Sequence, residues 1–120
     1  MIHMIYCDHK TIYVYDEEPE ESVLLRTMTG ANPDDSISKI KYDHHLSLIA
    51  SGSSKGRVAL WDYEIGNLLG FCMGHSADSE ITAIEFCSPQ PIMITCATDG
   101  KLMLWTVRPV PFVHCHVCVA

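Results

Sequence analysis

Positive charge is what this 120-residue sequence has least of: eight Lys and Arg stand against fifteen Asp and Glu, for a net charge of −7. The cations are scattered, which argues against nucleic-acid binding, because that needs Lys and Arg clustered on phosphates. An acidic surface is also repelled by anionic membrane faces. Long hydrophobic runs are missing too. Leu46–Ala50 with its neighbours falls far short of the roughly 20 apolar residues of a spanning helix, so no membrane insertion is expected. The N-terminal Met1–Ile5 has no basic segment, extended apolar core or small-residue cleavage site, and does not read as a signal peptide. The glycines never assemble into a phosphate cradle, and no Gly-x-Ser-x-Gly elbow occurs, so no cofactor and no nucleophile chemistry are expected. No stretch holds a helical period of useful length.

What is present is an internal repeat. Shifting Leu24–Trp61 by 44 residues pairs Leu24 with Leu68, Leu25 with Leu69, Gly30 with Gly74 and Asp34 with Asp78. It also pairs Ile37 with Ile81, Ile40 with Ile84, Gly56 with Gly100 and Leu60-Trp61 with Leu104-Trp105. Apolar residues make up 48% of the chain, which indicates a buried, folded core. Of the six cysteines, Cys72, Cys87 and Cys96 fall inside apolar strand patterns, which reads as a reduced, intracellular and cytoplasmic protein rather than a disulfide scaffold.

Alternation and β-branched or aromatic residues predict four strands in each repeat. In the first they are Val23–Met28, Ile37–Tyr42, Leu46–Ser51 and Arg57–Tyr63; in the second, Leu68–Met73, Ile81–Phe86, Ile92–Ala97 and Lys101–Val107. Turn residues separate them, as in Thr98-Asp99-Gly100. A repeat of about 40–45 residues with four short strands is the signature of a β-propeller blade. The expected architecture is therefore all-β: a partial propeller of about two and a half four-stranded antiparallel blades, not closed by this chain alone. Residues 1–16 read as the last two strands of a preceding blade, 17–63 as the first full repeat and 64–107 as the second. Residues 108–120 read as a tail or the first strand of a following blade. The acidic connection Asp16–Glu21 reads as a solvated loop.

Gly74-His75, Thr98-Asp99-Gly100 and Leu102–Trp105 resemble the punctuation of the WD-repeat (WD40) propeller family, with Thr106 in place of the final Asp. Ser51–Asp62 resembles the family's third turn and fourth strand. The first repeat departs at Ala31, where the family has His, and at Lys55, where it has Asp. The resemblance implies a buried structural network of His75, Thr95, Asp99 and Trp105 in the second repeat. In the first repeat only Ser51 and Trp61 remain, so the network there is expected to be absent or improvised. The texture of Ser79–Phe86 and Asp99–Pro109 is most similar to propeller proteins of cilia and flagella, which implies an axonemal location.

His75 and Asp99 have the residue types of a base and its orienting acid, but the structural network accounts for both and no enzyme activity is expected. The tail residues His114, Cys115, His116 and Cys118 carry metal-ligand chemistry without the second ligand pair of a structural zinc site, so they are weak candidates and no metal is expected. Contacts with partners are expected on turns: Asp43–His45, Ser53–Arg57, Ser76–Ser79 and Ser88–Pro91, with His44, His45, Lys55 and Arg57 as the named candidates. The expected function is a non-catalytic protein–protein interaction scaffold. Its partners would be other protein subunits of a large complex, including the rest of a propeller. The alternatives are a substrate-recruiting or adaptor subunit of an enzyme complex such as a ubiquitin ligase, and a metal-binding module built on the tail.

Overall fold

The computed structural model describes residues 2–17, 21–29 and 35–107, together with the backbone of 114–119. Eleven strands form three antiparallel sheets. The first holds β1 (Ile2–Cys7), β2 (Thr11–Glu17) and β3 (Ser22–Thr29), in that order. The second holds β4 (Ile37–Asp43), β5 (Leu48–Ser53), β6 (Arg57–Asp62) and β7 (Leu68–Met73). The third holds β8 (Ile81–Phe86), β9 (Ile92–Ala97), β10 (Lys101–Thr106) and β11 (His114–Val119). No helix occurs among the described residues.

Period-two alternation decides which side chains point where. On β2, Ile12, Val14 and Asp16 are buried while Tyr13 and Tyr15 face the other way. β5 is buried along its whole length because both of its faces are covered. Ile49 joins Ala59, Trp61 and Tyr63 against Ile12, Val14 and Met28 of the first sheet. Leu48 and Ala50 join Val58, Leu60 and Cys72 against Ile81, Ile84, Met93, Met103 and Trp105 of the third. Two apolar layers therefore bind three sheets into a stack, with the middle sheet shared between them. Each fully buried aliphatic in these layers stabilises the fold by about 1.5–3 kcal/mol.

The sequence repeat and the sheet are out of step by one strand. β3 pairs with β2, with Tyr13 opposite Thr27 and Tyr15 opposite Leu24, so the strand that opens the first repeat belongs to the sheet before it. β7 likewise pairs with β6, and β11 with β10. Two expectations change accordingly. β1 and β2 do not end their sheet; β3 does. The tail strand closes the third sheet instead of opening a following blade. The cause is hydrogen bonding: β2, β6 and β10 each have an open edge that the next strand in the chain satisfies.

The stack does not close on itself. Its first sheet turns Met4, Tyr6 and Leu24 outward, at 42%, 44% and 48% exposure. Beside them Tyr6, Tyr13 and Tyr15 stack, with centroids 4.9 Å and 5.9 Å apart for the two pairs that include Tyr6. The hydrogen bond with Tyr15 does most to raise the Tyr6 hydroxyl above the ordinary range, with partial desolvation and the charges of Tyr15, Tyr13 and Asp8 adding to it.

Candidate functional site

The second repeat builds a chain of hydrogen bonds across one blade. β9 places Thr95 beside Trp105 of β10, and the loop after β7 brings His75 over both. The Trp105 indole Nε1–H donates to Thr95 Oγ1 at 2.9 Å. His75 Nε2 lies 2.8 Å from the same oxygen, and Nδ1 lies 3.1 Å and 3.2 Å from the two Asp99 oxygens. With the Nδ1 proton given to the carboxylate, Nε2 is left to accept the Thr95 hydroxyl proton, and every polar atom is used. Asp99 also accepts from the Ser76 and Lys101 amides, each at 3.0 Å. Burial pushes its carboxyl up, but those two amides and the His75 ring outweigh it and hold the group at about 2. His75 is buried and Thr95 fully so. The hydrogen bonds of His75 and Asp99 run to Thr95, Ser76 and Lys101, so the geometry ties the loop after β7 to β9 and β10.

In the first repeat the Trp61 indole donates to Ser51 Oγ at 2.9 Å, the counterpart of the Trp105–Thr95 bond. Ala31 lies outside the described residues, and Lys55 is exposed. The work that Asp99 does for Lys101 passes to another residue: Ser53 Oγ accepts from the amides of Arg57 at 3.0 Å and Lys55 at 3.2 Å. Around it, Ser54 Oγ donates to Asp35 Oδ1 at 3.1 Å, and Arg57 Nη1 stands 3.9 Å from Asp35 Oδ2. Sequence reasoning missed Asp35 and Ser53. Their counterparts 44 residues on are Ser79 and Ala97, so the repeat carries no signal for them.

The candidate contact turns fall into two groups at opposite ends of the strands. The β4–β5 turn carries His44 and His45, both exposed, with ring centroids 6.0 Å apart. Ser88 Oγ donates to Asp43 Oδ1 at 2.5 Å, so this turn and Ser88–Pro91 form one surface spanning the second and third sheets. At the other end, the turn holding Lys55 and Arg57 packs on Ser76–Ser79. Gly56 has φ +75°, and a Cβ there would lie 2.2 Å from the Ser76 carbonyl oxygen, so only glycine fits.

His114, Cys115, His116 and Cys118 lie on β11 opposite Thr106, Trp105, Leu104 and Leu102. Their side chains fall outside the described residues. Among the described residues, no group of three or more His, Cys, Asp or Glu is placed to hold a metal.

Three stacked antiparallel sheets, one of three strands and two of four, with a Trp-to-hydroxyl hydrogen bond recurring in successive units, define an unclosed β-propeller segment. A family model for the WD domain, G-beta repeat, matches residues 22–62 and 66–106, and the chain belongs to that WD40 family. It is 32% identical over 73 residues to nuclear distribution protein PAC1 of Ajellomyces capsulatus (strain H143), covering 59% of this chain and 16% of that one. It is 26% identical over 96 residues to mitochondrial division protein 1 of Neurospora crassa, covering 80% and 14%. It is 25% identical over 99 residues to the Denticleless protein homolog of Gallus gallus, covering 81% and 13%. The chain thus spans 13–16% of the length of these relatives. Among solved structures it superposes on a chain of the crystal structure of the mitotic checkpoint complex with a TM-score of 0.71 at 15% identity, covering 91% of this chain and 33% of that one. That likeness is one of fold.

Proposed function

We propose that this chain is a non-catalytic scaffold for protein–protein interaction, a propeller segment that acts inside a larger assembly. The observation that carries the reading is the outward face of the first sheet. Met4, Tyr6 and Leu24 are exposed there beside a tyrosine stack, on the side opposite a packed blade interface. A contiguous apolar and aromatic face of this kind marks a protein docking surface. Its natural cover is another β-sheet, from further propeller sequence or from another subunit. The rigid stack also fixes two groups of turns at its two rims, where partners read variable side chains. Among the described residues, the thiols of Cys7, Cys87 and Cys96 form no disulfide, which supports a reducing, cytoplasmic setting.

The test is to purify the protein with its native assembly, using the wild type and a Tyr15→Glu, Leu24→Glu variant. Loss of protein partners with the far-UV spectrum unchanged supports the scaffold. Full recovery of every partner by the variant refutes this face as the docking surface. The identity of what is recovered separates the finer readings: filament proteins for an axonemal scaffold, a ligase or kinase for a recruiting subunit.

A further inference from the structure

The apolar side chains on the outward face of the first sheet are uncovered because the stack ends there. β7 is a different case. It is the last strand of the middle sheet, whose two faces are already covered by the first and third sheets. Leu68 and Phe71 are nonetheless each 38% exposed, and Met73 is 62% exposed. Further blades would extend the stack from its ends and leave this rim strand as it is, so its exposure has another cause.

Three features of β7 point to an added strand. Among the described residues nothing pairs with its outer edge, which leaves main-chain N–H and C=O groups free to bond. Its sequence, Leu-Leu-Gly-Phe-Cys-Met, holds none of the charges or prolines with which natural edge strands discourage pairing. Near its centre, Gly70 has no heavy atom within 4 Å of the place a Cβ would take, so the packing does not call for a glycine there. A glycine inside a strand often marks the close approach of another backbone.

The neighbouring side chains say what the incoming strand carries. Leu68 stands opposite Trp61, Phe71 opposite Ala59 and Met73 opposite Arg57, so all three line the face turned toward the first sheet. At the Leu68 end of that face lies Arg26 of β3. Its Cδ packs over Gly66, 3.2 Å from where a Cβ would sit, and its guanidinium stands 5.4 Å from the Tyr63 ring centroid. No carboxylate among the described residues pairs with Arg26, and its Nη1 makes no hydrogen bond. An apolar strip ending at an arginine without a counter-ion is complementary to an apolar segment ending in a carboxylate.

We propose that β7 takes up an extended segment of a partner protein as an added strand of the middle sheet. The segment sets apolar side chains on Leu68, Phe71 and Met73, and an Asp or Glu carboxylate on the Arg26 guanidinium. Main-chain bonds supply the affinity, while the strip and the arginine supply the selectivity. Paired strands lie about 4.8 Å apart, which brings such cross-strand side chains into contact. The inference rests on the scaffold reading but uses a different surface from the Tyr15 and Leu24 face, so each can fail alone.

The probe is the blocked peptide acetyl-Glu-Val-Thr-Val-Thr-Val-amide, titrated into the 15N-labelled full chain in parallel with its Gln analogue. The expected result is a saturable shift and slowed exchange of the amides of Leu68–Met73, with those of Tyr13 and Tyr15 unmoved. The Glu peptide should bind about tenfold more tightly than the Gln peptide, the worth of a hydrogen bond to a charged group. Arg26→Gln should erase that difference. If this variant fails to fold, salt at about 1 M takes its place on the wild type and should remove the advantage of the Glu peptide. No shift in β7, or a shift of Tyr13 and Tyr15 in its stead, overturns the added strand. Equal binding of the two peptides overturns the carboxylate. Shifts of Leu68–Met73 that follow protein concentration alone would make a second copy of the chain the occupant and overturn the partner.

Discussion

Removing one hydroxyl from each repeat should cost very different amounts, and the difference measures the hydrogen-bond chain of the second blade. Thr95→Val keeps the shape of the side chain and removes only Oγ1. That strands two buried nitrogens, the Trp105 indole Nε1 and His75 Nε2, which now lie 2.9 Å and 2.8 Å from the lost oxygen. Ser51→Ala removes the counterpart oxygen and strands one nitrogen, on Trp61. At about 1–3 kcal/mol per unsatisfied buried group, the first change should destabilise by about 3 kcal/mol and the second by about half of that. For a chain of this size each kcal/mol lowers Tm by about 4 °C, so the variants should melt about 12 °C and about 6 °C below wild type. Urea unfolding followed by far-UV circular dichroism gives both values, provided the m-value is unchanged. Equal losses for the two variants, within about 0.5 kcal/mol, would refute the claim that His75 draws on Thr95.

Acid should reveal Asp99. Its carboxyl sits at about 2 in the folded chain, below its unfolded value, so its stabilisation is complete above about pH 4 and is lost as the pH falls toward 2; Asp99→Asn should flatten stability across that window in acid unfolding curves. Gly56→Ala and Gly100→Ala both place a side chain at positive φ, which costs about 1 kcal/mol each, but only Gly56 faces a neighbouring backbone oxygen, so its variant should lose clearly more in urea. Burial raises the hydroxyls of Tyr42 and Tyr63 above the ordinary range, and stability should therefore decline as the pH climbs past 10; absorbance at alkaline pH should show both ionising at higher pH in the folded chain than in urea. Ser88→Ala should free the Ser88–Pro91 turn from Asp43, seen as faster amide exchange at Gln90 with the core unchanged.

Strands were legible in the sequence where both periodicity and repetition spoke. Leu68–Met73, Ile81–Phe86 and Ile92–Ala97 form over the residues their patterns predict. Leu46 and Ser47 stay out of β5 because Ser47 takes φ 51°, a turn conformation that alternation does not register. The partner of each strand was not legible, since a strand's own residues say which face is buried and nothing about which edge it will meet. Periodicity and repetition therefore keep the first strand of each repeat in its own unit, whereas the sheets place it one unit earlier. The residues around His75 could be picked out because their types recur at fixed offsets. Asp35 and Ser53 could not, because they stand in for a missing His and Asp at unrelated positions. Only the folded chain brings Arg57 next to Asp35.

The one-strand offset between repeat and sheet gives the chain the logic of a dovetail joint. Every 44-residue unit is covalently anchored in two sheets, so no sheet can detach without dragging a strand from its neighbour. Melting should therefore spread along the stack instead of stopping at a boundary. The same joint makes duplication safe: inserting one whole unit hands its leading strand to the sheet before it and receives one from the unit after it. A propeller built this way can gain or lose blades by copying a single stretch of sequence, and no edge is left raw at the splice.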